Sequence, residues 1–249
     1  RLYNPALRVK PFEVLEVADM GDVAVVPNSL ERTYENVSQE ISAVLKAGVT
    51  PVVCGGDHSI TLPLLREVSK IHGKIALLHF DSHLDLVESH FGQRYTHGTV
   101  FRRALEEGLI DPEHSAHIGI RGSLFSEEEV LEAEEAGFRV VMMEELERVG
   151  VEAVVRDLVR RVEGLPCYVS FDIDVCDPAY APGTGTPEVG GLTSREALSM
   201  VRGLKGLRFV GFDLVEVSPP YDHGEITAIL AANILYEFIS LLAWWRQKK

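Results

Sequence analysis

Alternating acidic residues end two apolar runs of this sequence, and they are the side chains best placed to do chemistry. In Ser170-Phe171-Asp172-Ile173-Asp174 an apolar segment runs into Asp172 and Asp174. In Phe80-Asp81-Ser82-His83-Leu84-Asp85 another runs into Asp81, His83 and Asp85. Residues i and i+2 of an extended chain point the same way, so each run delivers its ligand-type groups to one side. Carboxylates at the end of a buried strand are costly unless a cation meets them. With His58, from Gly55-Gly56-Asp57-His58, the set comprises the imidazoles of His58 and His83 and the carboxylates of Asp81, Asp85, Asp172 and Asp174. It is too rich in oxygen for one tetrahedral zinc and suits two hard divalent cations bridged by carboxylates, with manganese (Mn2+) the first choice. Two such cations sharing a water lower its pKa, giving a hydroxide nucleophile near neutral pH without Ser or Cys. Taken singly, each Asp is explained as well by a cap or turn and each His by a satisfied core position. Their convergence points to a metal centre.

Apolar runs at residues 22–26, 51–54, 75–80, 116–120, 139–142, 168–171 and 209–215 read as strands, alternating with helical patterns. In the first helix, 30–47, Val37, Ile41, Val44 and Leu45 recur at helical spacing and Gly48 is a stop signal. Further helices are expected at 60–70, 99–107 and 151–162, and from about 225. Ser126 with Glu129, and Thr193 with Glu196, predict capping boxes for helices reaching about 136 and 202. Alternation of this kind, with near-continuous apolar strands, defines an α/β class with a mostly parallel sheet covered by helices on both faces. Ligands of such sheets bind at the carboxyl ends of the strands. His58, Asp81, His83, Asp85, Asp172, Asp174 and Glu216 all fall there, and the Pro- and Gly-rich stretch 178–191 suits a wall beside them.

With 46% hydrophobic and 25% charged residues, the 249-residue chain is expected to form one domain with a substantial core. The net charge of −14 argues against nucleic acid as a partner and is compatible with a small cationic substrate. Cys54, Cys167 and Cys176 are embedded in apolar runs and do not read as a disulfide framework, so a reducing, cytoplasmic setting is expected. Residues 226–245 are apolar but carry Asn233 and Glu237, which favours a core-docked helix over a membrane span.

The segments Gly55-Gly56-Asp57-His58-Ser59, Phe80 to Asp85, Ser170 to Asp174 with Asp177-Pro178, and Gly183-Thr184-Gly185-Thr186-Pro187 resemble the signatures of the ureohydrolases, the arginase, agmatinase and formimidoylglutamase family. The resemblance implies a three-layer, arginase-like α/β fold, a dinuclear manganese site, hydrolysis of a guanidino group to urea and an amine, and a homo-trimer or hexamer. By matching position, His58, Asp81, Asp85 and Asp172 would hold one metal, and Asp81, His83, Asp172 and Asp174 the other. Asp85 would carry the proton to the leaving amine, His97 would shuttle protons to solvent, and Glu216 would bind the guanidinium by charge-assisted hydrogen bonds. Ser82 replaces the family's usual Ala. Family members usually carry a further segment before the region that starts at Arg1, so an N-terminal piece is expected to be missing.

Within the family, Gly122 stands where arginases have an acidic residue after the Arg matched here by Arg121. His97-Gly98-Thr99, residues 107–112 and residues 221–227 look like the agmatinase branch. The expected reaction is therefore hydrolysis of agmatine to putrescine and urea, with guanidinobutyrate and arginine as alternative substrates. Phe91 and Tyr95, in the loop 87–95, either line the pocket or pack, and Glu188 either faces a distal amine or is solvated. Two further readings are a non-catalytic family member, which should have lost a ligand or Glu216, and a metal-dependent deacetylase on a related fold, which does not need all six ligands. Of the remaining histidines, His72, His79, His90, His114 and His117 read as structural or solvated, and His223, in the loop after Glu216, is the most plausible exception.

Overall fold

Six strands, joined through five parallel pairings, form the sheet: β1 (Val52–Cys54), β2 (Ala76–Phe80), β3 (Ala116–Ile120), β4 (Arg139–Met142), β5 (Pro166–Asp172) and β6 (Arg208–Val215), in the spatial order β1-β6-β5-β2-β3-β4. The computed structural model describes residues 2–162 and 164–248. Every residue of β2, β3 and β5 is buried, as expected of strands covered on both faces. The helices are α1 (Pro11–Val14), α2 (Leu30–Lys46), α3 (Thr61–His72), α4 (Val100–Glu106), α5 (Glu128–Glu135), α6 (Met143–Val149), α7 (Val151–Val162), α8 (Ser194–Gly203) and α9 (Ile226–Gln247).

Successive strand residues pack into opposite cores. Leu77 and Tyr168 join Ile41, Leu65 and Phe101 of α2 to α4, whereas Leu78 and Val169 join Leu158, Met200 and Ile234 of α7 to α9. Helix, sheet and helix thus make three layers, the arginase-like arrangement. From central β2 the chain moves outward through β3 and β4, then returns to β5 on the other side of β2. This reversal opens a crevice at the carboxyl ends of β2 and β5, where Phe80 pairs with Phe171 and the chemistry-bearing residues begin. Gly119 permits the close approach there. It breaks the β3–β4 register with φ +103°, and an added Cβ would lie 2.4 Å from Val175 Cγ2.

Three sequence expectations change. Residues 22–26 are not a strand, because the segment pairs with no strand and is tied to α2 by side chains. The Val26 N–H donates to Thr33 Oγ1 (2.9 Å) and Asn36 Nδ2 to the Ala24 carbonyl (2.7 Å). Of the Ser126–Glu129 box only the returning half forms. Glu129 Oε1 accepts from the Phe125 and Ser126 N–H groups, and α5 starts two residues after Ser126. Helix α6 was not anticipated; its seven residues follow β4 directly and are set off from α7 by Gly150 at φ +83°. The Thr193–Glu196 box forms in full. Among the described residues, α9 is the one helix long and apolar enough to cross a membrane, and half of that window is buried in the fold. Its Glu237 is buried and held by Asn4 Nδ2 (2.8 Å) and Arg202 Nη2 (2.6 Å).

Candidate active site

Four strand ends bring the predicted residues together. His58 follows β1 in a 3-10 turn (His58–Ile60) capped by Asp57. It is fully buried, and its Nε2 lies 2.8 Å from Ser170 Oγ. Ser170 donates to Asp213 Oδ1 (2.7 Å), and Tyr168 and Thr61 donate to Asp213 Oδ2 (2.8 and 2.9 Å). Because the serine proton goes to the carboxylate, Ser170 Oγ accepts from His58 Nε2–H, which turns Nδ1 toward the crevice. There Nδ1 faces three carboxylate oxygens: Asp85 Oδ2 at 3.0 Å, and Asp81 Oδ2 and Asp172 Oδ2 at 3.2 Å each.

The second imidazole is arranged likewise. His83 Nδ1 lies 3.2 Å from Asp81 Oδ1 and 3.1 Å from Asp174 Oδ2. Asp81 therefore presents one oxygen to each histidine and stands between two donor groups. The two acidic motifs share a local fold, since the first Asp of each accepts from the N–H two residues on: His83 N to Asp81 Oδ1 (2.6 Å) and Asp174 N to Asp172 Oδ1 (2.9 Å). Ser82 adds a contact that Ala could not make, donating its hydroxyl to Asp174 Oδ1 at 2.7 Å.

This cluster is short of positive charge. Burial, together with Asp174 and Asp81, raises the Asp172 pKa well above the usual carboxylate value; burial and Asp81 raise that of Asp174. Burial opposes charge on the histidines, yet the carboxylates prevail. Asp172, Asp81 and Asp85 hold His58 well above 6.5, and Asp174 and Asp81 raise His83 to about 12. His58 Nδ1 has no well-directed hydrogen bond despite its three neighbours. A buried nitrogen ringed by carboxylate oxygens is a donor set that fits a shared cation. The whole set is compatible with a dinuclear metal site.

Glu216 lies beside this floor, with His97 near enough to act on its charge and its ring 5.2 Å from that of His90. Glu216, after β6, is half buried and adopts φ +64°, and its Oε1 accepts from the His58 N–H (2.8 Å). Among the described residues its Oε2 takes no hydrogen bond. Burial raises its pKa, partly offset by the His58 N–H and ring and by the charge of nearby His97. Asp85, at φ +51°, and Phe91, at φ +50°, share the left-handed backbone of Glu216. Gly98 passes over the site, within 3.9 Å of Asp85 Oδ1 for a built Cβ. Tyr95 packs edge-on to Tyr34 (6.4 Å), whereas Phe91 is 91% exposed at the turn between His90 and Gln93. Glu188 lies over Gly122, where a Cβ would come 2.5 Å from its carboxyl carbon. His223 is exposed.

His79, Ser170 and Asp213 were not singled out from sequence as supporting residues. Their signal was present as polar residues inside strands that are otherwise apolar, where each must find a partner. His79 comes within ligand distance of the first group, but Asp81 Oδ2 (2.8 Å) and His117 Nδ1 (2.7 Å) already occupy its two nitrogens.

A three-layer parallel sheet with this acidic crevice defines a metal-dependent hydrolase of the arginase class. The arginase family model matches residues 1–240, and the chain belongs to that family. It is 46% identical to the guanidinobutyrase of Pseudomonas aeruginosa over 242 residues, covering 97% of this chain and 76% of that protein. It is 45% identical to the agmatinase of Edwardsiella ictaluri over 229 residues, covering 92% of this chain and 72% of that protein. The solved proclavaminate amidino hydrolase of Streptomyces clavuligerus superimposes with a TM-score of 0.91 at 42% identity, covering 95% of this chain and 79% of that one. The reaction class is hydrolysis of a guanidino group.

Proposed function

We propose that the substrate is agmatine, hydrolysed to putrescine and urea at a dinuclear Mn2+ centre. Similarity does not choose between an amine and an acid at the substrate's far end, since the identities to the guanidinobutyrase and the agmatinase differ by one percentage point. The observation that carries the choice is the state of the arginines around the mouth. Arg121 is engaged by backbone carbonyls, Arg94 and Arg103 pair with Glu106, and Arg102 pairs with Glu132. Each thus already meets a carboxylate or carbonyl of the protein, whereas the side chain of Glu188 takes no hydrogen bond among the described residues. A distal ammonium suits this rim better than a carboxylate. The second reading, 4-guanidinobutyrate, rests on the likeness to the guanidinobutyrase.

His58, Asp81, Asp85 and Asp172 would hold one ion, and Asp81, His83, Asp172 and Asp174 the other. When bound, the ions supply the Lewis acidity that makes water a nucleophile near neutral pH. Glu216 Oε2 receives the guanidinium and fixes its plane. Water adds to the guanidinium carbon, Asp85 takes the released proton and delivers it to the leaving nitrogen, and that C–N bond breaks to give urea and the amine. His97 exchanges the remaining proton with solvent. The test is urea release from agmatine, 4-guanidinobutyrate and arginine by manganese-loaded protein, before and after chelation. Chelator-sensitive activity on agmatine supports the reading; activity on 4-guanidinobutyrate alone would replace it with the second.

A further inference from the structure

A row of polar side chains crosses the sheet beneath the acidic crevice. His117 on β3 is in register with His79 on β2, His79 with Ser170 on β5, and Ser170 with Asp213 on β6. All four are fully buried. One end of the row, Asp213 with Ser170, fixes His58. The other end has no part in the chemistry described so far, yet it reaches Asp81. His79 Nε2 lies 2.8 Å from Asp81 Oδ2, and His79 Nδ1 lies 2.7 Å from His117 Nδ1.

The proton positions follow from the partners. Asp81 meets the imidazoles of His79, His58 and His83, and a carboxylate among them accepts, so His79 Nε2 carries a proton. A single proton lies between the two Nδ1 atoms. A buried imidazolium at His79 would be costly, and the neutral ring leaves His79 Nδ1 as an acceptor, so His117 Nδ1–H is the donor. That leaves His117 Nε2 without a proton, and it is the one ring nitrogen of the pair that has no hydrogen-bond partner. It lies among apolar rings, with Phe138 at 4.6 Å. Burial depresses the His117 pKa well below 6.5, in keeping with a ring that holds one proton.

We propose that His117 is a positioning residue for the metal centre: by donating to His79 Nδ1 it locks the tautomer and plane in which His79 orients Asp81, the carboxylate shared by both ions. This rests on the reading of Asp81 as a metal ligand. Outer-shell partners of metal ligands typically contribute about 10–100-fold in metal affinity.

The test is Mn2+ titration into the chelator-stripped full chain, comparing wild type, His117→Leu and His117→Gln, with thermal unfolding of each metal-free form to check folding. Leu removes the donor, while the Gln amide restores it. The expected result is a loss of affinity of about 10–100-fold for His117→Leu and recovery to within about threefold of wild type for His117→Gln. Equal affinity in wild type and folded His117→Leu would overturn the proposal while leaving the metal centre intact. A wild type that takes up no Mn2+ would overturn the metal reading and the relay together. Should His117→Leu not fold, histidine 15N spectra of the unmutated metal-free chain decide: Nε2–H at His79 with Nδ1–H at His117 supports the relay, and the opposite tautomers overturn it.

Discussion

The floor of the crevice and its rim are built by opposite means. On the floor, ligand-type side chains follow strand ends whose register is fixed by a buried parallel sheet, and further buried polar groups hold them, Ser170 and Asp213 behind His58, His79 at Asp81 and Ser82 at Asp174. On the rim, Phe91 stands 91% exposed on a two-residue turn, and the side chain of Glu188 rests on Gly122 without a hydrogen bond among the described residues. The floor is set by the sheet and is shared by a family acting on different guanidino compounds. The rim is set by loops, and it is there that one substrate can be told from another.

Substitutions should separate the two regions. The largest effect is expected on the floor: Asp81→Asn removes the carboxylate shared by both donor groups and should lower urea release by more than about 100-fold, beyond the outer-shell range, with loss of Mn2+ in a metal assay. Glu216→Gln sits between floor and rim. It keeps an acceptor for the His58 N–H but loses the charge offered to the guanidinium, so kcat/KM should fall by about 10–100-fold with metal content unchanged. Loss of metal in that variant would place Glu216 on the floor.

Smaller effects concern stability. The folded-state pKa of His117 lies well below its unfolded value of 6.5, so the unfolded chain binds the extra proton below that pH. The stabilisation is complete above 6.5 and declines as pH falls toward the depressed folded pKa, by up to about 1.4 kcal/mol per pH unit. Denaturant unfolding of His117→Gln should show a shallower acid slope than wild type between pH 6.5 and 5. The smallest effect belongs to the rim: Phe91→Gly relieves a left-handed backbone and should stabilise the chain by about 1 kcal/mol in thermal unfolding, leaving Mn2+ affinity unchanged. A fall in agmatine turnover in the same variant would show that the ring contacts substrate.

The same division governed what could be read from sequence. Asp81, His83, Asp172 and Asp174 were legible as polar residues ending buried apolar runs, although the chain bends into Asp-capped turns there, a 3-10 turn at Ile173–Val175, rather than continuing the extended alternation. The helix with Val37 and Ile41, and the Thr193 box, were legible because their signals are local. The strand expected at 22–26 failed because an apolar run becomes a strand only if a neighbour pairs with it, and here Thr33 and Asn36 take its hydrogen bonds instead. His117 was left as structural or solvated because its partner, His79, lies 38 residues away and the two meet only through strand register. The distal end of the substrate was least legible, since Phe91 and Glu188 belong to loops whose course no periodicity specifies.

Arg121 has a consequence of its own. Its guanidinium is the same chemical group that the family hydrolyses, and it sits one residue's width from the acidic crevice. Its Nη2 donates to the Asp174 carbonyl at 2.7 Å, while the Asp174 carboxylate faces His83 at 3.1 Å. The carbonyls of Gly119, Val175, Glu188 and Val189 complete its enclosure, and Gly191 leaves room for it, since a Cβ there would lie 2.4 Å from Nη2. A single aspartate thus has a resident guanidinium at its backbone carbonyl while its side chain faces the crevice. The resident group differs from a substrate in its enclosure: it is buried and crowded along its edges by carbonyls, which keeps it out of reach of the chemistry beside it.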